Sequence, residues 1–191
     1  SLIILVGDHG EEFAEHGGFD HGRTLYEELL RVPLIVKLPR SWGRTGRVTA
    51  PVSTVDIAPT ILEVVGGAAG QELQGLSLLP AAGGESERQR PLFSETQVDA
   101  LNLRAALLGT VKCIANVSGV DRYSRPAPRF EAFDLARDPG ERSPLAPGGH
   151  GVERCKQELE AWLTHPGQTL AERRPLAPAD QAKLRSLGYI R

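Results

Sequence analysis

An unbroken aliphatic run, Leu2-Ile3-Ile4-Leu5-Val6, stops abruptly at the polar tetrapeptide Gly7-Asp8-His9-Gly10. No other junction in the chain constrains the fold as much. Five consecutive aliphatic residues without polar alternation suit a strand buried on both faces, as in a parallel sheet covered by helices. Glycine on each side of Asp8-His9 lets the backbone turn sharply and approach a bound group closely. An aspartate and a histidine are thereby presented at the carboxyl end of a strand, the edge at which open α/β sheets bind ligands.

Asp8 and His9 combine a hard oxygen with an imidazole nitrogen, a donor pair that suits a divalent cation. The same residues also read as a turn cap followed by solvated histidines, and the pattern alone weighs the two readings evenly. His16, Asp20 and His21 follow in the next stretch, with Glu11, Glu12 and Glu15 among them. Such a mixture could also hold zinc, although no HExxH spacing is present to support a metalloprotease.

The stretch GDHGEEFAEHGGFDHGRTLYEELLRVPLIVKLP resembles the second metal-binding segment of the sulfatases, within the alkaline phosphatase superfamily. The resemblance implies that Asp8 and His9 ligate a divalent ion, usually calcium, with manganese, magnesium or zinc as alternatives. It also implies a catalytic, substrate-contacting role for His21, which would touch the sulfate or help the leaving oxygen depart. His21 stands 13 positions after Asp8 and one residue off the family's lysine pattern when counted back from Arg31-Val32-Pro33, so His16 is the alternative substrate contact. The strings APVSTVDIAPTILEVVG, LQGLSLLP and EAFDLARDPGERSPLA extend the resemblance along the chain.

The family nucleophile is a formylglycine made from Cys or Ser within C/S-x-P-x-R. Neither Cys113 nor Cys155 has proline two residues on, and Ser124-Arg125-Pro126-Ala127-Pro128 has proline where arginine is required. No nucleophile is therefore assigned in this chain. Together with the paired aspartates of the first metal segment, the formylglycine is expected in an N-terminal part. The implied substrate is a sulfated small molecule or glycan, and the implied setting is periplasmic or secreted. Rival activities within the superfamily are phosphodiesterase, phosphonate hydrolase and phosphoglycerol transferase. A non-catalytic carbohydrate-binding module is the rival from another class.

Charge is nearly balanced, with 22 basic against 24 acidic residues, which gives no electrostatic case for nucleic acid. No apolar run approaches the length that spans a bilayer. Nothing in the pattern sets an oligomeric state. The chain has no methionine and opens inside an apolar strand, as expected of the C-terminal part of a larger enzyme.

The expected fold is α/β: the C-terminal part of a sulfatase-like mixed-sheet domain over residues 1–84, then a small antiparallel sheet with a helix over 90–165, then a tail with a short helix over 166–191. The small, polar stretch Ala81 to Gln89 marks the boundary. Thr24 to Leu30 reads as a helix capped by Thr24, with Glu27 in capping-box register. Leu34 to Leu38 reads as a strand. A helix capped by Ser53 or Asp56 carries the stripe Ile57, Ile61, Leu62 and Val65 and stops at Gly66-Gly67. Strands are expected at Pro91 to Thr96, Leu103 to Leu108, Val111 to Val117 and Phe130 to Leu135, with a hairpin about Gly109-Thr110. Val152, Cys155, Leu159, Trp162 and Leu163 line one face of a helix that packs on this sheet. Cys113 and Cys155 read as buried free thiols, with a disulfide as the alternative. Asn116-Val117-Ser118 matches a glycosylation acceptor by chance.

Overall fold

The structure is a computed structural model that describes residues 1–42, 45–67, 73–82 and 90–164. Two compact units are present, Ser1–Glu160 and Ala161–Arg191. The expected tail helix at Pro178 and most of the Ala81 to Gln89 stretch lie outside the described residues.

The aliphatic run forms β1 (Ile3–Val6), and the strand after Pro33 forms β4 (Leu34–Lys37). They pair antiparallel, with Leu5 opposite Ile35, which corrects the expectation of a parallel strand. Parallel pairing needs a crossover connection, whereas here the chain doubles back through a hairpin and one helical turn. Nor is the run buried. Leu5 is 57% and Ile35 61% exposed, on one face of the pair.

Between them, β2 (Glu12–Phe13) and β3 (Phe19–Asp20) form a hairpin too short to announce itself by alternation. The helix that follows, α1 (Glu27–Leu30), begins later than expected, and Thr24 does not cap it. The acceptor for its first amide comes from far along the chain: the Glu141 carboxylate takes the Glu27 N–H at 2.6 Å. A carboxylate there meets the positive end of the aligned peptide dipoles.

A turn at Thr54–Asp56 leads into α2 (Ile57–Val64), and Gly66, at φ +77°, ends it. Asp56 is buried and accepts from the backbone N–H of Ser53 at 3.0 Å and of Leu76 at 2.8 Å, while pairing with Arg90. Asp56 stands at the N-cap position of α2 without a side-chain cap bond; with Ser53 it forms a capping box on the preceding turn, and its carboxylate ties three segments together. The expected stripe on α2 is half open, with Ile61 and Val65 exposed and Pro59 and Thr60 buried instead. A short α3 (Leu79–Ala82) follows.

β5 (Leu92–Val98), β6 (Leu101–Leu108), β7 (Val111–Asn116) and β8 (Phe130–Asp134) build one antiparallel sheet in sequence order. Gly109, at φ +62°, supplies the left-handed residue of the β6–β7 turn. Alternation along each strand gives the sheet two faces. Ala106 and Cys113 face α4 (His150–Thr164), whose Val152, Cys155 and Leu159 are buried. The opposite face carries Leu101, Leu103, Ala105, Ile114 and Phe133, and these pack with Leu25, Tyr26 and Leu30. The main core therefore crosses the boundary read from composition, because the chain around α1 serves as the lid of the antiparallel sheet.

Cys113 and Cys155 are joined in a disulfide, with Cα atoms 6.2 Å apart, so they are not free thiols. Asn116 is buried: its amide donates to the Val120 carbonyl at 2.9 Å and its oxygen accepts from Ser118 Oγ and Gly119 N. The side chain is thus a turn brace, which agrees with reading the sequon as chance.

Two measurements test this packing. A disulfide across a separation of 42 residues stabilises by about 4 kcal/mol in the chain-entropy account, so Cys113→Ala/Cys155→Ala should lower the urea midpoint by that equivalent. Equal midpoints with and without reductant would show that the thiols are unpaired. Burial first, then the Glu131 charge and its hydrogen bond, hold the Tyr26 phenol far above its ordinary value. The unfolded tyrosine ionises near pH 10, so this stability is full below about pH 10 and is lost as pH rises towards the folded value. Tyr26→Phe should cost about 1 kcal/mol at neutral pH and flatten the alkaline decline in urea denaturation.

Candidate active site

The loop after β1 is built by close approach to α1. Gly7 N–H donates to the Pro33 carbonyl at 3.1 Å, and Gly10 N–H donates to the Leu29 carbonyl at 2.9 Å. A Cβ on Gly10 would overlap the Glu28 carbonyl oxygen, so only glycine lets the loop lie this close. Clamped at both glycines, the loop pushes Asp8 and His9 outward, and the Asp8 side chain is 78% exposed.

His9 Nδ1 donates to the Gly10 carbonyl at 2.8 Å. That bond places the proton on Nδ1 and leaves Nε2 as a free lone pair. Nε2 and Asp8 Oδ2 lie 3.9 Å apart. The two intended ligand atoms therefore sit side by side at the loop tip.

The hairpin brings His21 to the same place. Its ring stacks on His9 with centroids 4.0 Å apart and planes 19° from parallel. His21 Nδ1 faces carboxylate oxygens of Glu11 at 3.3 Å and Asp20 at 3.4 Å, and Asp20 Oδ1 also accepts the His21 backbone N–H at 2.8 Å. With Nδ1 turned to carboxylates, Nε2 is the nitrogen available to a ligand.

Glu11 belongs to this group although sequence reasoning did not single it out. Donor atoms of His9, Glu11 and His21 all lie within 4.8 Å of one another. The available signal was its place, directly after the Gly-Asp-His-Gly turn. Hard carboxylate oxygens beside an imidazole with a fixed tautomer fit a divalent cation. Asp8 and His9, with ligand atoms 3.9 Å apart, could hold one, and Glu11 and His21 bring their donor atoms close to His9.

His16 goes elsewhere. Its Nδ1 meets Glu28 Oε1 at 2.6 Å and its Nε2 meets the Glu141 carbonyl at 3.1 Å. Both partners are oxygen atoms of the protein, one a carboxylate and one a backbone carbonyl. The ring also stacks on Tyr26, with centroids 3.7 Å apart. These contacts use both nitrogens internally and separate His16 from the His9–His21 pair. His16→Ala should destabilise the protein by about 1–3 kcal/mol, because Glu28 loses its partner. His21→Ala, at an exposed position, should stay within about 0.5 kcal/mol. Comparing the two urea midpoints checks which histidine is structural.

Three comparisons bear on this arrangement. The family model described as N-sulphoglucosamine sulphohydrolase, C-terminal, matches residues 14–96. The chain is 36% identical over 91 residues to an N-acetylglucosamine-6-O-sulfatase of Bacteroides thetaiotaomicron, covering 48% of this chain and 16% of that protein. It is 30% identical over 153 residues to arylsulfatase K of Bos taurus, covering 76% and 27%. A solved protein in complex with its substrate D-glucosamine-2-N,6-O-disulfate shares the fold at a TM-score of 0.65, with 22% identity, over 87% of this chain and 34% of that one. The chain thus spans well under half the length of these relatives. With the sequence motifs, the family model and the shared fold in agreement, the chain belongs to the sulfatase family, in which its counterpart is the C-terminal part.

Proposed function

We propose that this chain supplies the second metal arm and the leaving-group histidine of an enzyme that hydrolyses sulfate esters of sugars. One observation carries the reading: Asp8 Oδ2 and His9 Nε2 stand 3.9 Å apart, beside a His21 ring stacked 4.0 Å from His9. Asp8 and His9 hold the ion, calcium for preference, since an exposed carboxylate at the loop tip favours a hard cation. When bound, the ion supplies Lewis acidity and alignment for the sulfuryl oxygens. His21 Nε2 contacts the sulfate or delivers a proton to the departing oxygen.

The nucleophile lies outside this chain, as a formylglycine. Cys113 and Cys155 cannot serve as its precursor because each is bonded to the other. The disulfide also supports a periplasmic or secreted location, where such bonds persist. A sulfated glycan as substrate is supported by the glucosamine sulfatase and disulfate-bound relatives.

In the protein that carries this chain, Asp8→Ala should abolish cleavage of 4-nitrophenyl sulfate and lower bound divalent metal. His21→Ala should lower kcat by roughly 10²–10⁴-fold with metal content unchanged. Normal turnover and metal content in Asp8→Ala would remove the metal assignment. Hydrolysis of phosphonate or phosphodiester substrates in place of sulfate esters would transfer the arm to the other branch of the superfamily.

A further inference from the structure

The hairpin that carries His21 does not hold itself. Its strands are two residues each, far below what stands alone in water. Ala14 at φ +73° and Asp20 at φ +132° occupy backbone regions that residues with side chains rarely adopt, and such conformations persist only where the surroundings enforce them. Asp20 directly precedes His21, so whatever enforces its backbone also sets the direction of the His21 ring.

His16 anchors the turn of the hairpin to Glu28 and the Glu141 carbonyl, and the contact that holds its strands, next to His21, comes from the loop between β7 and β8. Glu12, opposite Asp20 in the hairpin register, is 1% exposed. Its Oε1 accepts the Gly18 N–H at 2.9 Å, and its Oε2 accepts from Arg122 Nη2 at 2.6 Å. The Arg122 guanidinium also lies against Gly18 so closely that a Cβ there would collide with it. Beyond His21, the Gly22 carbonyl accepts from Thr96 Oγ1 at 2.6 Å. His21 is therefore bracketed by two ties to the antiparallel sheet. The Asp8–His9 loop is held separately, by Gly7 and Gly10 on the β4 and α1 side.

We propose that Arg122 is a positioning residue for His21: through Glu12 it locks the hairpin in the one arrangement that stacks His21 on His9. The inference rests on the reading of His21 as the group that meets the sulfate ester. A neutral side chain at 122 leaves the Glu12 carboxylate buried without its cation, and the hairpin then opens so that Glu12 reaches water. His21 leaves its place while the metal loop stays.

The test uses Arg122→Met and Arg122→Lys in the protein that carries this chain. Arg122→Met should lower kcat on 4-nitrophenyl sulfate by about 10²-fold, the size of effect that misplacement of a catalytic group produces, with KM and bound metal little changed. Arg122→Lys retains the charge but loses the planar fork, and should recover part of the activity. Proton–proton nuclear Overhauser contacts between the His9 and His21 rings should vanish in Arg122→Met and return in Arg122→Lys. If Arg122→Met fails to fold, Gly18→Ala, which displaces the guanidinium while keeping both charges, replaces it with the same expectation. A His9–His21 ring contact that survives displacement of Arg122 overturns the inference, whatever happens to kcat. If the unaltered protein cleaves no sulfate ester, the proposed function falls and the ring contact alone decides the positioning role.

Discussion

Lys112 is 1% exposed near the start of β7, and its ammonium lies 3.0 Å from Glu27 Oε1 and 2.9 Å from Glu141 Oε1. An unpaired ammonium could not be buried there, so α1 and the segment after β8 are obliged to meet at this point. Glu141 does more than neutralise the charge. Its other oxygen caps α1 through the Glu27 amide, and its backbone carbonyl takes one nitrogen of His16. Burial pushes the Glu141 carboxyl up, with Lys112 working against the shift. Glu141 itself sits at φ +51°, a conformation tolerated because three elements converge on it.

This junction explains how a small antiparallel sheet without chemistry of its own comes to matter for a site. Hydrophobic contact through Leu25, Tyr26 and Leu30 would let the arm slide over the sheet face, since apolar packing is not directional. A lysine received by two carboxylates removes that freedom. Buried ionic groups in this setting contribute position more than stability. The Asp8–His9 loop then inherits its place from α1 through the Gly10–Leu29 hydrogen bond.

Local signals in the sequence were legible, and partners distant along the chain were not. The Gly-Asp-His-Gly turn, the β6–β7 hairpin at Gly109 and the Ser53–Asp56 capping box are set by residues within a few positions of each other, and each stands where its pattern placed it. Lys112 stands among apolar residues in its strand, and the two carboxylates that pair with it, Glu27 and Glu141, lie far from it in sequence on either side. His16 and His21 look alike in sequence. What separates them is Glu28, the Glu141 carbonyl and Tyr26 gathered around one, and Glu11 with Asp20 beside the other. Strand direction for β1 failed for the same reason: five aliphatic residues state that a surface is apolar and say nothing about which strand lies next to it.

The distribution of exposed and buried groups follows from a division of labour. On the proposed function Asp8, His9 and His21 meet a ligand, and all three are exposed, on a loop and a hairpin neither of which buries enough to hold itself. Their supports are less exposed and come from other segments: Glu12 with Arg122, Glu27 with Lys112, and Glu28 with His16. Each joins side chains on different segments, and together they place polar side-chain bonds at three points along the arm. Apolar contact supplies cohesion and these pairs supply register, because a hydrogen-bonded ion pair loses most of its value when displaced by even one residue. A composition-based boundary near residues 81–89 therefore separates two styles of sequence without separating two cores. Removing the first part would strip Lys112 of Glu27 and uncover Leu103, Ile114 and Phe133, so the antiparallel sheet depends on the arm as much as the arm depends on the sheet.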